Sequence, residues 1–232
     1  MKNPFFYFAL LLLTTFLSSC FEISEEIYMR KNGSGRYIAQ FNFSQNKKLI
    51  QTLILSGLQF GKKNPFGTET NPLDLIEETL KEGIQQLSNS QKGIHHVAPR
   101  IDRQNLIYGL EFEFENVQAL NEYLSRSISV EGAPQYEWRK KTITRPHYFY
   151  FDAIVEKLQP WLTSDKELTQ YKQLIYENLQ YRCIIRTERR IKNYFPQQFY
   201  TLNAENREIV LFQPVKDIKE GKVKLGVTVQ TK

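Results

Sequence analysis

Cysteine is scarce in this chain, with two in 232 residues, at positions 20 and 183. That excludes a small domain stapled by several disulfides and a thiolate-rich zinc site. Histidine is nearly as rare, with three. His95 and His96 are adjacent, so on a strand they project to opposite faces and cannot readily chelate one ion together. His147 lies apart on a Pro-flanked segment, and neither a metal nor a cofactor is expected. The sequence has no Gly-x-Ser-x-Gly elbow, no His-Glu-x-x-His, no phosphate-cradling glycine loop and no dinucleotide fingerprint. Triads assemble from distant positions, so a hydrolase stays open as the least favoured reading. Low-complexity linkers and repeats at a solenoid period are also missing, which favours a single domain.

What is present begins with one apolar run, Phe5 to Leu17, broken only by Thr14 and Thr15 and preceded by Lys2. This is the pattern of a secretory signal peptide. As a helix at ~1.5 Å per residue the run would rise roughly 20 Å, short of the ~30 Å hydrocarbon core, so a permanent transmembrane helix is the weaker reading. Small residues before a cut are expected of a signal peptide, and here Leu17-Ser18-Ser19 leads directly into Cys20. That tetrad resembles the bacterial lipobox. The resemblance implies a diacylglyceryl group on the Cys20 thiol, removal of residues 1–19, and acylation of the new amine by a chain of the palmitate kind. At ~0.8 kcal/mol per buried CH2, two or three chains anchor a protein far more firmly than one myristoyl group.

The mature chain, residues 20–232, is long enough for a real core and is expected to form one compact α+β domain. Of the charged residues it loses only Lys2, so it keeps nearly all of the net charge of +6. The excess is mild and interleaved with acids, as in "RTERRIKNYF". It suits anionic headgroups or acidic glycans better than nucleic acid, and a solvated mixed-charge surface accounts for it as well. With Cys20 acylated, Cys183 has no intramolecular partner. In "YRCIIR" it shares a strand face with Tyr181 and Ile185, which points to a buried small hydrophobe.

Along the chain, 23–30 and 36–44 flank "KNGSG", a strong hairpin signal because Asn and Gly tolerate positive φ. Helical spacing over 46–58 and 73–87 predicts two helices covering one sheet face. "GIHHVAPRID" and "QNLIYGLEFEFEN" read as two strands joined by a short polar turn. In the second, Phe112 and Phe114 face in, while Glu111, Glu113 and Glu115 face out. Cross-strand pairing with Arg139 and Lys141, or with Arg182 and Arg186, explains that acidic row without chemistry, since one uniform environment cannot separate carboxylate pKa values. Asn116 is a good N-cap for a helix through Ile128. Further on, 136–145 predicts a strand, 152–162 and 165–176 predict helices, and 179–194 predicts one long strand. "REIVLFQPV" and "KVKLGVTVQ" close the chain as a hairpin or sheet pair. The sum is antiparallel sheet of about seven strands covered by about five helices.

The densest aromatic patch is "RPHYFYFDAIV", with Tyr148, Phe149, Tyr150 and Phe151 in succession. Half of these rings facing a core is one account. The other is an apolar groove or interfacial patch for acyl chains, with Arg139, Lys141 and Arg145 receiving an anionic headgroup.

Taken together, "FEISEEIYM" directly after the cysteine, "NGSGRY", "GIHHV", "YGLEFEFENVQALNEYL" and "REIVLFQPVKDIKEGKVKLGVTVQ" resemble bacterial lipoproteins of the LppM-type domain family, over most of the mature chain. The resemblance implies an envelope domain whose better-known relatives are thought to bind lipids or lipoglycans, and it transfers no set of functional residues. Phe21 stands where aspartate would mark inner-membrane retention in Gram-negative lipoproteins, so similarity to that rule implies the outer membrane, on either of its faces. The expected protein is a lipid-anchored, non-enzymatic envelope module binding a lipid, a lipoglycan or an envelope partner. A structural or assembly subunit is the alternative.

Overall fold

β1 (Phe21–Met29) and β2 (Gly35–Asn42) form the hairpin that Asn32-Gly33 predicts, paired antiparallel from Glu22 opposite Asn42 to Met29 opposite Gly35. Gly33 has φ +85°, and the Asn32 side chain accepts hydrogen bonds from both the backbone N–H and the hydroxyl of Ser34. The computed structural model describes residues 21–47, 74, 77–78, 80–82, 84–85, 92–128, 136–147 and 177–232.

Two sheets organise these residues. The larger includes β3 (Ile94–Asp102) and β4 (Ile107–Phe114), joined by the expected polar turn. It also includes β7 (Leu179–Thr187), β9 (Thr201–Leu202) and β10 (Glu208–Pro214), in the order β3-β4-β2-β1-β7-β10-β9. The smaller has the order β5-β6-β11-β8, from β5 (Glu137–Arg139), β6 (Thr142–Arg145), β11 (Val227–Thr231) and β8 (Ile191–Phe195).

These assignments correct the sequence reading in four places. The large sheet is mixed, because β1 and β7 run parallel from Phe21 opposite Leu179 to Met29 opposite Thr187. The strand expected over 179–194 is two strands in different sheets. The chain bends after Thr187, whose hydroxyl donates to the Arg189 carbonyl, while the Glu188 N–H donates to Met29. The strand expected over 136–145 is a hairpin turning at Lys140 and Lys141, with Lys140 at φ +56°. The two closing strands, β10 and β11, do not pair with each other. A short helix, α2 (Val215–Lys219), buries Val215 and Ile218 and carries the chain from one sheet toward the other.

Among the described residues α-helical structure extends beyond isolated positions only within 74–85, in α1 (Val117–Ile128) and in α2. The eleven strands among the described residues exceed the expected seven, and those residues do not support about five helices. The fold is α+β with β dominant. The helices expected over 46–58, 152–162 and 165–176 lie wholly or almost wholly outside the described residues.

α1 starts as its sequence predicts, with the Asn116 side chain accepting from the Ala119 N–H at 2.9 Å. Its apolar stripe, Leu120, Tyr123 and Leu124, is buried, and the Tyr123 ring lies 4.3 Å from that of Phe112 on β4. One core cluster joins the inward side of the large sheet (Ile23, Ile27, Ile185, Ile209, Leu211) to that of the small one (Ile143, Val227, Val229).

Candidate functional site

Three places bear on function: the start of β1, a polar network buried between the sheets, and the outward face of the small sheet. At the first, Phe21, the residue after Cys20, is already a core residue at 1% exposure. It pairs with Leu179 on β7 and packs edge-on against Phe43 at 5.8 Å. Cys20 itself lies outside the described residues.

Glu25 sits on the inward side of β1 and is completely buried. Its carboxylate accepts from the Arg145 guanidinium at 2.8 Å and from the hydroxyls of Tyr136 and Tyr181. Arg145 also donates to the carbonyls of Pro146 at 2.9 Å and Leu225 at 3.1 Å, and to the Tyr181 hydroxyl at 2.8 Å. Burial alone would raise the pKa of Glu25. The Arg145 charge and the two hydroxyl donors outweigh it and hold the carboxyl below its ordinary value. Burial disfavours the charged form of Arg145 too, and Glu25 more than restores it. Cys183, at the same depth, has its thiol pushed up to about 12, chiefly by burial, so it is a protonated core residue as its strand face predicts. The network joins β1 and β7 of one sheet to β6 of the other, a link that sequence reading missed. The available signal was a carboxylate at inward parity between Ile23 and Ile27.

Beside Arg145, a groove of about 980 Å³ opens on the small sheet, lined among others by Thr144, His147, Phe195, Gln198, Lys224 and Thr228. The His147 Nδ1 accepts from the Leu225 N–H at 3.0 Å, which fixes the ring at the groove's edge. Phe195 is 75% exposed, unusual for a large apolar side chain.

Of the residues the sequence singled out, Arg139 and Lys141 are exposed on the small sheet, and Arg139 pairs with Glu137 at 3.2 Å. Arg145 is not presented to solvent, since its charge is engaged by Glu25 inside the molecule. Tyr148, Phe149, Tyr150 and Phe151 lie outside the described residues.

The acidic row on β4 is paired, with partners other than those expected. Glu111 binds Arg36 at 2.5 Å and Arg100 at 2.9 Å, Glu113 binds Arg30 at 3.3 Å, and Glu115 meets His95 at 2.7 Å. Arg182 and Arg186 instead serve Glu22, Glu26 and Glu208. Among the described residues no three His, Cys, Asp or Glu side chains gather in metal-binding geometry, and no helix is long and apolar enough to cross a membrane.

No protein-family model matches the chain, and no curated protein does. Among solved structures, the chain is similar to the folded domain of LppM from Mycobacterium tuberculosis, determined by NMR, at 10% identity and a TM-score of 0.38. That similarity covers 93% of this chain and 91% of the other.

Proposed function

We propose that this chain is a lipid-anchored bacterial envelope protein whose domain is a non-enzymatic binding module. The observation that carries the reading is the absence of any spacer between the lipobox-like cysteine and the fold. Leu17-Ser18-Ser19-Cys20 ends where buried Phe21 begins a central strand. Acyl chains on Cys20 would hold that end of the large sheet against the bilayer, and the residue at position 21 suits the outer membrane. The ligand class is a lipid, a lipoglycan or an envelope partner, taken at the groove beside Phe195, where apolar rings meet Lys224.

Intact-mass measurement of membrane-fraction protein tests the anchor. The wild-type mass should correspond to cleavage before Cys20 plus two or three acyl chains, and Cys20→Ala should abolish both. An unmodified Cys20 with cleavage elsewhere would remove the anchor from the reading.

A further inference from the structure

The outward face of the small sheet is ordered in rungs. Its register sets Arg139, Thr142, Gln230 and Asn193 side by side, and in the next rung Glu137, Thr144, Thr228 and Phe195. Directly opposed residues share a face, and rungs on one face lie about 7 Å apart. Beyond the first rung three chain segments converge. The Thr231 N–H donates to the Lys141 carbonyl at 2.8 Å and the Lys232 N–H to the Arg190 carbonyl at 2.9 Å. Lys140, Lys141, Arg190, Lys192 and Lys232 are therefore gathered at one end. All are exposed, and none forms an ion pair with a described residue. The face thus runs from a cluster of cations without an ion-pair partner among the described residues, across hydroxyls, amides and the Arg139–Glu137 pair, to an exposed aromatic ring.

We propose that this face binds an anionic glycan. Cations at one end demand negative charge on the partner, and a bare polyanion would need nothing more. In the rungs Arg139 and Glu137 neutralise each other at 3.2 Å. Thr142, Gln230, Asn193, Thr144 and Thr228 add donors and acceptors matched to sugar hydroxyls, and Phe195 offers a π face against which the C–H side of a sugar ring can lie. A bilayer is the poorer fit, because the rungs between the charges and Phe195 are polar. The cationic end also lies near Met29, the length of β1 or ~30 Å from Phe21, and so away from a bilayer holding Cys20. The proposal deepens the binding-module reading and uses its surface, but it does not require acylation.

The test uses mature protein in phosphatidylcholine nanodiscs. Its binding is measured to a polygalacturonate oligosaccharide, to polyglutamate as a charged non-sugar, and to phosphatidylglycerol vesicles. The expected result is polygalacturonate binding that weakens about tenfold in Lys140→Glu/Lys141→Glu. Phe195→Ala should weaken it about fivefold and leave polyglutamate unaffected. Each variant lies on the solvent side of the sheet, and unchanged circular dichroism would confirm its fold. Equal binding of both polymers with no effect at Phe195 would reduce the face to a charge patch. Capture of vesicles alone would make it a membrane-bridging surface, and binding of none of the probes would end the proposal. An unacylated Cys20 would strike the anchor, and the same polymer and vesicle measurements on the protein without nanodiscs would still decide the proposal.

Discussion

Glu25 and Arg145 are ions removed from water, and at that depth desolvation consumes most of their mutual attraction. Their arrangement matters more than their sum. Tyr136, Tyr181 and two backbone carbonyls satisfy groups that would otherwise stand orphaned. Arg145→Met should therefore destabilise the fold by ~3–5 kcal/mol in urea unfolding, because the Glu25 charge is left buried without its partner. The double variant Glu25→Gln/Arg145→Met should lose less than Arg145→Met alone, since no uncompensated charge remains. Acid follows the same logic. The folded pKa of Glu25 lies below the unfolded value of 4.5, so the unfolded chain binds more protons between the two. The stabilisation is fully present above that unfolded value and is lost as pH falls through the folded one. Urea midpoints followed from neutral pH into that acid range should fall in the wild type, and the part due to this group should vanish in Glu25→Gln.

At the scale of elements, two local devices can be tested against the core they serve. Asn116→Ala removes the cap of α1 and should cost ~1 kcal/mol. Gly33 carries two constraints at once, φ +85° and a Trp138 ring that an added Cβ would meet at 2.8 Å. Gly33→Ala should cost more than ~1 kcal/mol and change the tryptophan emission, since both the turn and the ring must shift. These devices were legible because each is local: Asn-Gly between alternating runs, and Asn ahead of a helical stripe. What escaped was long-range. Nothing in "LQYRCIIRTERRIKNYF" marks where one strand leaves the large sheet and the next enters the small one, since both halves alternate alike. The parallel partnership of β1 and β7 escaped for the same reason, because strand pattern records which face is buried and not which neighbour covers the edge. The candidate site was legible in part. Exposed Arg139 and Lys141 lie on it, whereas Phe195 and the converging Arg190 and Lys232 became neighbours only through the β6-β11-β8 order.

The whole molecule draws each sheet from distant parts of the chain. The large sheet takes β1 and β10, the small one β5 and β11, and one core cluster lies across both. Neither sheet can close its inward face alone, because Ile27 and Ile185 need cover on one side and Ile143 and Val229 on the other. The two sheets should therefore unfold as a single unit. Ile27→Ala in the large sheet and Ile143→Ala in the small one should each cost ~2–5 kcal/mol. Both should move one transition, seen at the same denaturant concentration by far-ultraviolet circular dichroism and by tryptophan fluorescence. Separate transitions, with Ile143→Ala shifting the tryptophan fluorescence transition and not the circular dichroism one, would make the small sheet an independently stable layer. A single transition would mean that the proposed glycan face on the small sheet and the proposed anchor at the start of β1 belong to one cooperative unit. The Glu25–Arg145 link would then couple that face of the small sheet to β1.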